Sequence, residues 1–291
     1  MTGRAVAARF ADGRLHLQDG PIDLIIGLDG NARSRRLACD AAIARFATIL
    51  DELCSELPLL RATACPDSAH LRGHTARRMN DACALFIGEA WLTPMAAVAG
   101  AVAQEILDAM TDATPLERAY VNNGGDIALH LSPGTRFDVG VVPQLDTPVI
   151  GGIAAIEFAD PVRGIATSGR SGRSFSLGIA DAVTVLATTA AAADAAATVI
   201  GNAVDLPGHP AVLRRPARDL QPDSDLGERA VTFAVGPLQP DEVAAALDAG
   251  TICARTLHAR GLIVAAYLIL DGRSRVIGGR HGLLMSIQTA S

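Results

Sequence analysis

Three stretches of this chain place side chains of matched chemistry at close spacing. The first is "YVNNGGDIALHL", residues 120–131, in which Asn122, Asn123, Gly124 and Gly125 precede Asp126. Asn and Gly tolerate positive φ, so these four residues predict a tight hairpin turn and are explained by it. Asp126 is not. An acid directly after the glycines would stand at the mouth of a sheet, beside backbone N–H groups that can approach a phosphate or an anionic ring edge. The second stretch is "GIATSGRSGRSFSLG", residues 164–178, where Ser168, Gly169, Ser171, Gly172 and Ser174 offer hydroxyls and amides. Arg170 and Arg173 add two guanidiniums, an inventory suited to a pyrophosphate. A solvated hairpin loop would carry the same residues, and the GxxxxGK[ST] spacing of a phosphate loop is absent. The third is "AAADAAAT", where Asp194 and Thr198 stand four residues apart. On a helix that spacing stacks a carboxylate and a hydroxyl on one face, two hard oxygens that suit Mg²⁺ when substrate phosphates complete its shell. The ordinary alternative is an early-helix Asp favoured by the dipole and a Thr bonded back to its own turn.

His70 and His74 are also four apart, but no acid lies between them as in HExxH, so a solvated helix face is the ordinary reading and a metal role is not expected.

Composition removes several function classes. The formal charge is −6 and aromatic residues make up 3% of the chain, so neither a basic phosphate-tracking surface nor a base-stacking platform for nucleic acid is expected. All 25 basic residues are arginine, which excludes a phosphate-loop lysine, a Schiff-base lysine and a lysine general base. The five cysteines are odd in number and never spaced CxxC, which points to reduced thiols and, with the charged N-terminus, to a cytoplasmic protein. No apolar run approaches the roughly 20 residues of a membrane helix, so no membrane partner is expected.

The elements that must hold these groups follow from periodicity. "AVAARFADGRLHL" reads as a hairpin about Asp12-Gly13, and "DLIIGLDG" as a further strand. A helix from Asn31 presents Leu37, Ala41, Phe46, Ile49 and Leu53 on one face and ends at Pro58; a second is expected within 67–90. "TPMAAVAGAVAQEILDAM" predicts a helix capped by Thr93, with Met95, Val98, Val102, Ile106 and Met110 as its buried stripe. Strand-like pieces follow ("RAYVNN", "DIALHL", "RFDVGVV", "IAAIEFA", "GIATS", "SFSLGIADAVTVLA"), then the alanine-rich helix, a Pro- and Arg-rich loop over 205–225 that could be a lid or boundary, "AVTFAVG", a final helix and a hairpin. Strands grouped between helices predict an α+β fold, a large antiparallel sheet packed against helices, in one domain over 1–291.

Taken in order, "VNNGGDIAL", "GIATSGRSGRSF" and "ADAAAT" resemble the GGD, ATSG and ADAxxT motifs of the ApbE-like superfamily, flavin transferases of T-fold type. "PMAAVAG" (94–100) and "SFSLGIADAV" (174–183) are similar to a branch of it without a settled activity. The resemblance implies an ApbE-like T-fold and Mg²⁺ bound by Asp194 and Thr198. It also implies a flavin nucleotide site, FAD or FMN, at Asn123, Gly124, Gly125 and Asp126 and at Thr167, Ser168, Gly169, Arg170 and Arg173. Superfamily transferases cleave FAD and attach FMN to a threonine or serine of a partner protein, so a protein acceptor is implied as well. This sequence departs from that pattern twice. It lacks the histidine-containing HIxDPxTG segment, with no histidine between His130 and His209, and it lacks the lysine of the helix before the GGD turn. Asp181 in "GIADAV" is the nearest substitute for the missing proton-transfer group, beside Asp126. The expected function is therefore Mg²⁺-dependent binding of a flavin or nucleotide phosphate, with transfer chemistry or an accessory, non-catalytic role both open.

Overall fold

A computed structural model describes residues 5–141, 152–172, 174–279 and 285–286. The strands are β1 (Val6–Arg9), β2 (Leu15–Asp19), β3 (Ile22–Asp29), β4 (Arg118–Asn123), β5 (Asp126–Leu131), β6 (Arg136–Val141), β7 (Gly152–Glu157), β8 (Gly164–Ser168), β9 (Ala182–Ala187), β10 (Val212–Pro216), β11 (Ala230–Val235), β12 (Ala265–Leu270), β13 (Arg273–Gly278) and β14 (Met285–Ser286). The helices are α1 (Ala32–Ser55), α2 (Leu57–Leu60), α3 (His74–Ala84), α4 (Val98–Ala113), α5 (Ala190–Ala203), α6 (Ala217–Leu220) and α7 (Pro240–Ala259). The α+β class expected from the sequence is what these elements build. The elements cluster into two compact units interleaved along the chain: residues to 136 with 157–166 and 187–194, and residues 137–156 and 167–186 with 195 onward.

In the first unit β1, β2, β3, β4, β5 and β8 pair in that order, every pairing antiparallel. Alternation along β4 turns Ala119, Val121 and Asn123 to the buried face. Helix α4 covers that face over β4 and β5, and α1 packs on α4. Val102, Ile106 and Met110 are fully buried, each contributing about 2 kcal/mol of apolar burial. Met95 and Val98, expected on the same stripe, are half-buried. The chain enters α4 through a 3-10 turn, Pro94–Ala97, whose tighter winding rotates these positions off the stripe. Thr93 stands at the cap, although its side chain makes no cap hydrogen bond.

Asn31 caps α1 as expected, its side chain accepting from the Ser34 amide at 2.9 Å. The buried face, however, runs through Ala38, Cys39, Ala42, Phe46, Ile49 and Leu53, and Leu37 is 39% exposed. Small residues, not the nearest leucine, fit under the neighbouring helix. Helix α1 ends at Ser55, before Pro58, which stands second in the single turn α2. Within 67–90 only His74–Ala84 is helical. The Glu56 carboxylate accepts the Arg72 amide at 2.6 Å and the Gly73 amide at 2.8 Å, holding the chain extended just before α3. His70 therefore lies on a turn and His74 opens the helix, so the pair shares no helical face.

In the second unit β9, β12 and β13 form antiparallel pairs, and α7 lies on β12 and β13. Asp271 and Gly272, with φ of 47° and 70°, supply the two positive-φ positions of the β12–β13 turn. Residues 205–225 carry β10 and α6 and belong to this unit, with β10 paired to β11. Of "SFSLGIADAVTVLA" only Ala182–Ala187 is strand, so Asp181 sits just ahead of the strand instead of within it.

Candidate functional site

Gly124 and Gly125, with φ of 65° and 114°, close the β4–β5 hairpin, and Asn123 is paired with Asp126 across it. A Cβ on either glycine would meet nothing within 4 Å, so the turn faces open space. Its amides are less available than the sequence suggested: the Gly125 N–H donates to Asn122 Oδ1 at 2.8 Å. Asn123 and Asp126 are buried on the sheet face that α4 covers. Asn123 Nδ2 donates to the Ala99 carbonyl at 3.1 Å and ties the hairpin to the first turn of α4.

Asp194 reaches that same turn. Its Oδ2 accepts the Gly100 amide at 3.0 Å, and the Ala99 amide also donates to the carboxylate. The sequence permits this because Gly100 lacks a side chain: a Cβ there would lie 2.3 Å from the Ala190 carbonyl oxygen. The two helix starts satisfy each other, since Gln104 Oε1 in α4 accepts the Ala190 amide of α5 at 3.0 Å. Asp126, Asn123, the Ala99 and Gly100 amides and Asp194 thus meet within the first unit.

Taken alone, two donated amides at a helix start describe a cap, and a cap holds a carboxylate ionised. Here the balance goes the other way. Burial pushes the Asp194 carboxyl well above the usual carboxylate range, the Asp126 charge pushes it further, and the Gly100 and Ala99 amides pull it down without prevailing. The Asp126 charge thus acts on a carboxyl that burial already disfavours as an ion, although Asp194 keeps part of its surface open to solvent. Along α5 the flanking positions Ala190 to Ala193 and Ala195 to Ala197 are buried, while Asp194, Thr198 and Asn202 retain partial exposure at i, i+4 and i+8. This polar stripe on an otherwise buried helix is the part of the arrangement that sequence reading missed beyond Asp194 and Thr198. Asn202, its third member, could have been found by extending the four-residue step.

Among the described residues no three His, Cys, Asp or Glu side chains converge on a point. The donors present are oxygens from one or two carboxylates and a hydroxyl, a set that fits Mg²⁺ sharing its shell with a substrate phosphate and does not fit a zinc centre.

The other expected residues gather in the second unit. Thr167 Oγ1 lies 2.9 Å from Thr184 Oγ1. Gly169, at φ 148°, packs its backbone on Asp181, where a Cβ would come within 2.5 Å of the carbonyl oxygen, and the Arg170 amide donates to the Ala180 carbonyl at 2.9 Å. Asp181 is buried with both carboxylate oxygens engaged: Arg170 Nη2 donates to Oδ1 at 2.5 Å, and the Asp271 amide to Oδ2 at 2.6 Å. It ties the serine loop to the β12–β13 turn. Ser168 is half-exposed, its side chain facing Gly201 of α5, and Arg170 is exposed. Arg173, expected to grip an anion, lies outside the described residues.

The UPF0280 protein of Methanothrix thermoacetophila is 34% identical over 180 residues, 56% of this chain and 67% of the relative. The UPF0280 protein of Archaeoglobus fulgidus is 39% identical over 114 residues, 38% of this chain and 44% of the relative, so the match spans less than half of that protein. The crystal structure of the ApbE protein of Thermotoga maritima aligns with 95% of this chain and 97% of its own length at a TM-score of 0.52 and 12% identity, a likeness of fold. No described helix is long and apolar enough to cross a membrane. The family model described as AbpE bacteria matches residues 7–276, and the chain belongs to that family.

Proposed function

We propose that this protein binds the phosphate of a flavin or adenine nucleotide through Mg²⁺ held by Asp194 and Thr198, next to the Asn123-Gly124-Gly125-Asp126 turn. The observation that carries this reading is the facing of Asp126 and Asp194 at the start of α4. Two carboxylates that repel each other where burial disfavours their charge are stabilised by a divalent cation. A bound Mg²⁺ would supply charge neutralisation and polarisation of the phosphate oxygens. Asp194 and the Thr198 hydroxyl orient it, and Asn123 fixes the hairpin against α4. Asp126 would be the group that takes a proton from an attacking hydroxyl. The open face of Gly124 and Gly125 lets a flat ring or ribose approach the backbone. Thr167, Ser168, Gly169 and Arg170, with Arg173 of the same stretch, would grip an anion, and Asp181 holds Arg170 and the Asp271 amide behind them.

A second reading, ligand binding without turnover, is favoured by one specific observation: the chain holds no lysine, and no histidine between His130 and His209. Losing a proton-transfer group costs about 10²- to 10⁴-fold in rate. Calorimetric titration of FAD, FMN and ADP with and without Mg²⁺ tests the binding. Metal-dependent affinity that falls about 100-fold or more in Asp194→Ala is expected, and equal affinity in the variant removes the assignment. Mass spectrometry of the incubated FAD then separates the two readings, since release of AMP or transfer of FMN to an acceptor marks an enzyme and intact FAD a binding protein.

A further inference from the structure

The polar stripe of α5 ends at Asn202, whose side-chain amide is held by one end. Asn202 Oδ1 accepts the Leu177 amide at 2.9 Å, and the Ser176 hydroxyl lies 3.5 Å from the same oxygen. Residues 176–178 can lie this close because Gly178 has no side chain: a Cβ there would stand 2.1 Å from the Gly201 carbonyl oxygen and 2.9 Å from Asn202 Cα. The Arg214 guanidinium donates to the Leu177 carbonyl, so Leu177 is gripped through both its N–H and its C=O. With its oxygen fixed on that loop, the Asn202 amide turns Nδ2 and its two protons to the other side. Nδ2 donates to none of the described residues, and Asn202 is half-buried at the helix surface. Thr198, one turn earlier, shows the same reserve. Thr111, Thr251 and Thr256 each bond back to the carbonyl four residues before, at 3.2, 2.8 and 3.0 Å, as helical threonines commonly do. The Thr198 hydroxyl makes no such bond, and neither it nor the Ser168 hydroxyl donates to a described residue. Ser168 Oγ would lie 3.8 Å from a Cβ on Gly201, the neighbour of Asn202. Ser168, Thr198 and Asn202 thus leave donors open around the same two turns of α5.

We propose that Asn202 is a further phosphate-binding residue, its Nδ2 donating to an oxygen of the phosphate held through Mg²⁺ at Asp194 and Thr198; this rests on the metal reading above. A Mg²⁺–oxygen bond is about 2.1 Å and a helical turn advances about 5.4 Å, so the remaining oxygens of a phosphate bonded to such a metal fall within reach of the next turn. Asn202 occupies that turn. A neutral donor suits the place, since the cation already offsets the phosphate charge. The bond to Leu177 fixes the amide before a ligand arrives, so little side-chain freedom is lost on binding. The same amide joins ligand and loop: a phosphate on Nδ2 restrains the side chain whose oxygen holds Leu177.

The test compares the full chain with Asn202→Asp, which keeps an oxygen for the Leu177 amide and replaces the donor by a negative charge. ADP is titrated calorimetrically in Mg²⁺, and exchange of the Leu177 amide reports the loop. ADP affinity is expected to fall about 10- to 100-fold in the variant, as for loss of a hydrogen bond to a charged group, while Leu177 exchanges at the wild-type rate. Mn²⁺ binding without nucleotide, read by electron paramagnetic resonance, should be no weaker than in the wild type; an ADP loss matched by an equal Mn²⁺ loss overturns the proposal. Equal ADP affinity in the two proteins overturns it too and leaves the metal site standing, whereas a wild type that binds ADP without regard to Mg²⁺ removes both. If Leu177 exchange accelerates in the variant, the wild type alone decides. The Asn202 side-chain NH₂ signals in a ¹⁵N spectrum, assigned by their absence from the variant, should move on adding ADP in Mg²⁺ and not on adding Mg²⁺ alone. Signals that stay in place overturn the proposal.

Discussion

Gly100→Ala sets two opposed effects against each other at the base of the site. Gly100 lies in the first turn of α4, where replacing glycine by alanine normally stabilises a helix by about 1 kcal/mol. Here the new methyl would sit 2.3 Å from the Ala190 carbonyl oxygen, 2.6 Å from its carbon and 3.0 Å from the Ala191 nitrogen, all backbone atoms. Relief requires α4 and the start of α5 to separate, which costs about 1–3 kcal/mol as overpacking, toward the upper end because no side chain can swing away. Separation also lengthens the 3.0 Å bond from the Gly100 amide to Asp194, a hydrogen bond of about 0.5–1.5 kcal/mol. The balance is a loss of about 1.5–3.5 kcal/mol. Urea denaturation should show the midpoint falling by about 1 M or more at unchanged slope. Mg²⁺-dependent nucleotide binding should weaken in the same variant, because Asp194 loses the amide that orients it. A Gly100→Ala protein as stable as the wild type, or more stable by the helix-propensity increment, would refute the close approach of the two helix starts.

Three further outcomes follow from the geometry. Because the folded Asp194 carboxyl is raised, the native chain binds more protons than the unfolded chain above the ordinary carboxylate pKa of about 3.9. Stability without metal should therefore fall as pH rises through that window, and Asp194→Asn should flatten the fall in thermal melts between pH 4 and 8; an identical slope contradicts it. Glu105 is the opposite case: burial raises its carboxyl, but Arg45 and His74 outweigh burial and hold it low. Its stabilisation is present above about pH 4.3 and is lost as pH falls below, so Arg45→Met, which removes a 2.8 Å bond to Glu105, should cost about 2–3 kcal/mol and move acid unfolding to higher pH. Asp181→Asn weakens the pairing with Arg170 and should cost about 1.5–3 kcal/mol, with faster amide exchange at Asp271; unchanged exchange there would mean that the tie between the loop and the β12–β13 turn is absent.

Much of the architecture was legible because local signals agreed with the burial they serve. Asp12-Gly13, Gly124-Gly125 and Asp271-Gly272 each sit where a hairpin needs positive φ, and Asn31 and Pro240 stand at the starts of real helices. What misled was local resemblance without its tertiary partner. Residues 67–73 were expected to join the helix, yet they turn at His70 and Glu56 captures the Arg72 and Gly73 amides, holding the chain extended just before α3. Leu37 has the right polarity for the core but the wrong place on α1, where Ala38 and Ala42 fit closer. At the site, Asp126 and Asp194 could be singled out from spacing, and their meeting could not, because it depends on the helix-to-helix approach at Gly100. Asp181 illustrates the same limit: a lone acid ahead of an apolar strand looked available for proton transfer, and both of its oxygens prove to be occupied.

The most direct examination of the metal site is crystallographic, with Mn²⁺ and ADP soaked into crystals of the full chain and anomalous differences collected for manganese. One strong peak bonded to Asp194 and the Thr198 hydroxyl is expected, with a phosphate oxygen completing the shell and Asp126 alongside. Ordered ADP with its phosphates elsewhere, or a saturating Mn²⁺ soak that leaves no peak against Asp194, would contradict it.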